Sequence, residues 1–262
     1  MAPRIPTEAD FAPLASRLRH TLHFPSPRES TTAILILFHG LGDSEAPFAG
    51  FARSIALPGV LAISVRGTTP LQPSLLPDDA VLRAGSGAGG HFHWGDDLRI
   101  DPATGELDPD PGFERARKAI MEDLVADILV GTCGWELSDV ILFGFGQGGS
   151  LALGLASSLR KADQVVDVTD GGGPKPMTLK GAVSIGGPLP TSMIPTREAR
   201  PRSDTSVLVC QLDEGDAVDV VKREFSDVRV VQWKRRDVAM PRDREEVFPI
   251  MKFFADRLKS GW

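Results

Sequence analysis

The chain has 262 residues, 42% of them apolar, and a net charge of -6, which suits a single α/β domain with a substantial core. Its basic residues gather on no one segment, so the pattern excludes a nucleic-acid footprint. Only two cysteines occur, Cys133 and Cys210, both beside apolar stretches, which excludes a disulfide framework and a cysteine metal cluster.

Residues 1–30 read as an extension ahead of one domain over 31–262. Within it, Phe11, Leu14 and Leu18 predict a short amphipathic helix over 9–20 that docks on the rest. Arg4, Glu8 and Asp10 stand where a secretory leader needs an apolar run, and no apolar stretch approaches a bilayer span. With reduced cysteines, that predicts a cytoplasmic protein. Runs rich in Val, Ile and Leu at Ala33–Phe38, Val60–Val65, Val140–Phe145, Lys180–Ile185, Ser206–Leu212 and Val228–Trp233 predict strands buried on both faces. Helical patterns over Phe48–Ile55, Phe113–Val130, Ser150–Leu159, Val218–Phe225 and Glu245–Leu258 fall between most of them. The alternation predicts a mostly parallel sheet covered by helices on both faces. Two irregular stretches interrupt it. Gly67 to Asp110 is long enough to shape a site, and Lys161 to Lys175 reads as a solvated insertion.

The most informative run is Leu142-Phe143-Gly144-Phe145-Gly146-Gln147-Gly148-Gly149. A strand, a tight glycine turn and a helix in that order are the layout of the α/β-hydrolase nucleophile elbow. Gly146 stands at its centre, where a catalytic serine is needed. The five histidines are His20, His23, His39, His91 and His93. None follows the elbow, where the order Ser, Asp/Glu, His requires the base.

Four motifs, His39-Gly40-Leu41-Gly42-Asp43, the Trp94 loop, Gly144 to Gly149 and Ile185-Gly186-Gly187-Pro188-Leu189-Pro190, resemble in order and spacing the phospholipase/carboxylesterase family that includes acyl-protein thioesterases. The resemblance runs from about Ile34 to Leu258. It implies an α/β-hydrolase fold with one oxyanion-hole amide at Leu41 and the other at Gln147. It puts the nucleophile at Gly146 and the acid after the strand Ser206–Leu212, where Asp213, Glu214 and Asp216 occur. Asp216 is the best match, although an ungapped alignment puts Gly215 there. The histidine belongs after Trp233, and Met240 or Pro241 stands at its place. No triad is therefore intact. An oxyanion hole alone leaves only about 10³ to 10⁴ over water, so the expectation is a pseudoenzyme that binds an acyl group, an acylated protein or a protein partner without cleaving it.

Other chemistries fit the same residues less well. Gly144, Gly146 and Gly149 have the spacing of a dinucleotide loop, but that fingerprint normally opens its domain. An unconventional hydrolase would have to turn over through His39, His91 or His93. His91 and His93 with His39 or Asp96 also make a conceivable zinc set, though histidines at i and i+2 beside a tryptophan are more often scaffold; no metal and no cofactor are expected. Ser150 lies a helical turn beyond Gly146, which suits capping better than catalysis. His39, His93 and Trp94 are expected around the pocket. Phe48, Phe51, Leu75, Leu76, Trp94 and Met193 together suggest an acyl-sized groove at the carboxyl edge of the sheet.

Overall fold

The computed structural model describes residues 3–72, 90–100, 107–160, 177–196, 201–212, 215–235 and 237–259. In chain order these form β1 (His20–His23), β2 (Ala33–Phe38), α1 (Glu45–Ile55), β3 (Val60–Val65), β4 (Thr69–Pro70), β5 (Phe92–His93), α2 (Glu114–Arg117, running on as a π-helix over Lys118–Thr132), β6 (Val140–Phe145), α3 (Gln147–Ser158), β7 (Gly181–Ile185), β8 (Val207–Cys210), α4 (Asp216–Glu224), β9 (Val228–Val231) and α5 (Arg244–Lys259). Short 3-10 turns fill several of the connections.

Seven strands make one sheet in the order β1-β3-β2-β6-β7-β8-β9. Every neighbouring pair is parallel except β1 with β3, where His20 lies opposite Val65. The continuous apolar runs follow from burial on both faces. Along β2, Ile34, Ile36 and Phe38 join one cluster while Ala33, Leu35 and Leu37 join the other. Phe48 and Ala52 of α1 and Ile250, Phe253 and Phe254 of α5 cover the second face. Helices α2, α3 and α4 cover the first, with Ile120, Leu124, Leu151, Leu155, Val218 and Val221 inward.

The amino-terminal segment differs from the predicted helix over 9–20. Glu8–Leu14 is a 3-10 helix containing Pro13, whose ring removes a backbone donor that a longer α-helix would use. The chain then turns and lays β1 along the free edge of β3. Phe11, Leu14 and Leu18 are buried in the main core cluster, so the sheet and its core already include residues before 31. The stretch Gly67 to Asp110 contains the two-residue ribbon β4–β5, with Thr69 opposite His93. The insertion Lys161 to Lys175 and the pair Leu75 and Leu76 lie outside the described residues.

Helix α2 is wider than an α-helix along most of its length. Its last turn closes with Cys133 N–H donating to Ile128 C=O at 3.0 Å, five residues back. Helix α3 begins at Gln147, three residues before its predicted start, because Gly146 serves as its cap.

Candidate functional site

Strand β6 ends at Phe145, and the chain turns into α3 through Gly146 with φ 50° and ψ -122°. An L-residue rarely holds that conformation, and glycine holds it without a Cβ penalty. The turn is fixed by Gly146 N–H donating to Ile185 C=O at 2.8 Å and by Ser150 N–H donating back to Gly146 C=O at 3.0 Å. A Cβ built at Gly146 meets only the Gly40 Cα, at 3.9 Å. The position therefore has room for a side chain, which would point at the turn after β2.

That turn is Gly40 to Asp43, closed by Asp43 N–H donating to Gly40 C=O at 3.2 Å, with Gly42 at φ 78°. The Leu41 N–H has no hydrogen-bond partner among the described residues, and Gln147 N–H lies in the first turn of α3, where a helix leaves its amides without internal acceptors. The two amides named from the sequence thus flank the Gly146 turn. The Gln147 side chain does a separate job. Its Oε1 accepts the Trp94 N–H at 2.8 Å and ties the ribbon to the elbow.

The histidines are placed as scaffold rather than as bases. His39 is fully buried: its Nδ1 donates to Gly40 C=O at 2.7 Å and its Nε2 accepts the Gly67 N–H at 2.8 Å. Burial holds its imidazole below the usual histidine range. Both nitrogens are committed, so it can neither take a proton from a nucleophile nor ligate a metal. His91 Nδ1 pairs with Gly42 C=O. His93 is buried without a partner at Nδ1, and burial, then the charge of Arg115, lower its pKa. No hydroxyl, thiol or carboxylate among the described residues bonds to any of the three. Asp96 is taken as well, because it caps α2 by accepting Glu114 N–H at 2.6 Å and Arg115 N–H at 3.0 Å. No group of three or more His, Cys, Asp or Glu side chains that would hold a metal occurs among the described residues.

The dinucleotide spacing turns out to serve close packing. A Cβ on Gly144 would strike Gly148 C=O, and one on Gly149 would strike Ser184 Oγ. A Cβ on Gly148 would lie 2.5 Å from the Phe38 and His39 carbonyl oxygens. A Cβ on Gly187 would strike Gly146 C=O and Ser150 N, so close packing accounts for these glycines without a dinucleotide. Strand β6 is moreover the fourth of the seven in the sheet.

The two places where an acid and a base belong are different. Asp213 and Glu214 lie outside the described residues, and Asp216 is exposed as the first residue of α4, preceded by Gly215 with open space around it. After β9 the loop is braced by Arg235. Its guanidinium donates to Glu246 at 2.8 Å, to Ala239 C=O at 3.1 Å and to Met240 C=O at 2.9 Å, and lies 4.8 Å from the Trp233 ring. The residue this loop brings against Gly186, beside the elbow, is Val238. Met240, which with Pro241 is one of the two residues that the resemblance puts there, packs instead on the α1–α5 face of the core. No sequence signal distinguished Val238, because loop length does not fix which side chain turns inward.

The described residues proposed for the acyl groove do not line one. Phe48 and Trp94 are buried in the core, Phe51 stacks on Phe143 with 5.1 Å between centroids, and Met193 covers Gly154. Trp94 donates its Nε1–H to His39 C=O at 2.8 Å and so acts as a strut under the Gly40 turn.

A mostly parallel sheet with helices on both faces, a strand–turn–helix elbow at the end of its central strand and, among the described residues, an unpartnered amide in the turn after β2 define the α/β-hydrolase class. A family model described as phospholipase/carboxylesterase matches residues 21–227, and the chain belongs to that family. An uncharacterized hydrolase of Schizosaccharomyces pombe is 34% identical over 146 residues, covering 56% of this chain and 55% of the relative. One of Mycosarcoma maydis is 31% identical, covering 53% and 48%. The chain thus matches about half the length of these curated relatives. Among solved structures, acyl-protein thioesterase 2 of Zea mays has TM-score 0.58 and 23% identity, covering 92% of this chain and 99% of that one. The Bacillus cereus carboxylesterase has TM-score 0.56 and 16% identity, covering 96% and 100%. Both are similar in fold. No helix among the described residues is long and apolar enough to cross a membrane.

Proposed function

We propose that this chain is a non-hydrolysing member of its family that binds the carbonyl or carboxylate end of an acyl group, free or carried on a protein, at the Leu41 and Gln147 amides. The observation that carries this reading is Gly146 at the centre of a geometrically complete elbow. Glycine has no side chain to form an acyl intermediate. The loop after β9 offers Val238 where a base is required, and His39 has both ring nitrogens engaged. Two amides beside a helix amino terminus remain, and such a place favours a partial or full negative charge. Two free buried thiols suit a reducing compartment such as the cytoplasm.

A second reading, docking of a protein partner, is favoured by Leu41 and Val238, which flank the elbow with 38% and 46% of their surface exposed. The deciding experiment assays ester and thioester hydrolysis on short and long acyl chains by the native chain, Gly146→Ser and a His91→Ala/His93→Ala double variant, with fluorophosphonate labelling. The expected result is no turnover by any of them and no labelling of Gly146→Ser, since nothing activates the new hydroxyl. Turnover by the native chain that the histidine substitutions abolish would mean an unorthodox hydrolase, and robust activity of Gly146→Ser would reveal a hidden base.

A further inference from the structure

A cavity of about 710 Å³ opens at the amino edge of the sheet, where β1 ends, β3 begins and α1 finishes above them. Its volume falls in the range of small-molecule sites, roughly 300–1,000 Å³. Leu35, Val60 and Ala62 of the strands, Ile55 at the end of α1, and Phe24 and Pro58 in the flanking turns give it apolar walls. The elbow and the Leu41 amide lie past the other end of the strands, and the 6 residues of β2 span roughly 17–20 Å. What binds here is therefore independent of acyl binding at Leu41 and Gln147.

Two polar side chains on its β1 side set the ligand chemistry. His23 stands opposite Ala62, and Ala62 beside Leu35. Residues paired in this way point to one face of a sheet, and Leu35 and Ala62 belong to the cluster beneath α1. The half-buried His23 therefore lines the cavity from the same face. Arg53 lines it from the helix. Helix α1 leads from the carboxyl end of β2 to the amino end of β3, so it runs alongside β1 in the same direction. Glu45 in its first turn pairs with Arg19, the residue before β1, at 3.4 Å, and Arg53 lies on the ridge that Glu45 and Ala49 begin. From Glu45 to Arg53 the helix rises about 12 Å, and from Arg19 to His23 the strand advances about 13 Å, which brings Arg53 level with His23. Arg53 is exposed, its guanidinium 3.9 Å from where a Cβ on Gly50 would stand. Neither His23 nor Arg53 has a hydrogen-bond or ion-pair partner among the described residues. No carboxylate occurs among the described lining residues, whose chain neighbours are all described. Glu29, the acidic residue beside them in sequence, is exposed and pairs with neither.

We propose that this cavity binds a hydrophobic monocarboxylate, with its hydrocarbon on Leu35, Val60 and Ala62 and its carboxylate held at the β1 rim by the His23 ring N–H and the Arg53 guanidinium. An imidazole supplies a ring N–H donor, and a guanidinium offers a carboxylate paired donors. An amine finds no carboxylate among the described lining residues. A phosphate needs several donors converging on its oxygens, and a plain hydrocarbon leaves both side chains without an acceptor. Arg53 has only to swing from Gly50 to the rim, a change of rotamer that exposed side chains make freely. In the last turn of α1 it also offsets the partial negative charge of the helix end, which would otherwise oppose an anion.

The test follows the imidazole C–H resonances of the five histidines by ¹³C–¹H correlation NMR, with His23→Gln identifying the one that matters. Octanoate, octanol, octylamine and inorganic phosphate are titrated into the full chain, and octanoate also into Arg53→Glu, whose exposed position keeps the fold. Octanoate is expected to move the His23 resonance saturably with Kd of about 1 mM or tighter. Octanol and octylamine are expected to bind about tenfold more weakly, the difference made by one charge-assisted hydrogen bond. Arg53→Glu is expected to lose about tenfold in octanoate affinity for the same reason. A His23 resonance that octanoate leaves in place, or octanoate affinity unchanged in Arg53→Glu, overturns the site. Octanol, octylamine or phosphate binding as tightly as octanoate overturns the ligand class. Octanoate held only at Leu41 and Gln147, at the other end of the strands, moves no His23 signal, so failure here leaves the acyl-binding proposal standing, and the reverse holds as well.

Discussion

The elbow and the loop after β9 are built by opposite means, and the contrast shows how backbone packing and side-chain bracing each fix a loop's shape. At the elbow, glycines at 144, 148 and 187 let backbone press on backbone, so its geometry does not depend on a side chain at 146. After β9 the loop is held by a side chain, Arg235, on Glu246 and two carbonyls. Its shape therefore says nothing about a base, and Val238 occupies the inward position. Backbone amides are kept as long as the fold is kept, whereas a proton-transferring side chain is a separate requirement.

The strongest way to break this comparison is Gly148→Ala, which drives a methyl to 2.5 Å from two buried carbonyl oxygens. It should cost about 4 kcal/mol or prevent folding, read as a lost or strongly lowered denaturant midpoint. Gly146→Ala, with only the Gly40 Cα at 3.9 Å, should cost about 1–2 kcal/mol, the left-handed backbone alone. If the two substitutions cost the same, the elbow is not packed as described.

The loop should give way next. Arg235→Ala leaves Glu246, itself buried, without its main partner, and is expected to lose about 2 kcal/mol, with increased hydrogen exchange confined to residues 234–243. A loss spread over the whole sheet would instead place Arg235 in the core of folding stability.

Acid sensitivity sharpens the role of His39. Burial keeps its folded pKa below the usual value, while the unfolded chain takes up a proton near pH 6.5. The unfolded state then binds more protons below that pH, so stability is complete above it and falls as the pH drops from about 6.5 toward the folded pKa. His39→Gln should flatten part of that slope in a stability profile between pH 7 and 5, leaving the share of His93, whose pKa is lowered in the same direction. An unchanged slope would mean that His39 titrates normally.

The smallest effect belongs to the thiols. Burial pushes the Cys210 thiol up to about 12, and Cys133 is raised for the same first reason. Neither should react with a thiol reagent in the folded chain at neutral pH, whereas both should once it is denatured.

The strands of the sheet interior were legible because each is apolar on both faces. Ala33–Phe38, Val60–Val65 and Val140–Phe145 match the structure end to end. β1 was not, since His20 and His23 bracket it and only the free edge of β3 makes it a strand. At the site, the glycine turn and its neighbouring amides could be read from residue order alone. The acyl groove could not, because Phe48, Phe51 and Trp94 are the same residue types whether they line a groove or fill a core, and here they fill the core.

Residue order by itself determined the layer architecture, the family and the absence of a nucleophile at 146, all of which are local patterns or identities. Only the tertiary structure decided that His39 is a buried strut and that Val238 rather than Met240 approaches the elbow. Each of these depends on which distant segments share a hydrogen bond or a contact. Chain spacing carries no such information, because loops of equal length can turn different side chains inward.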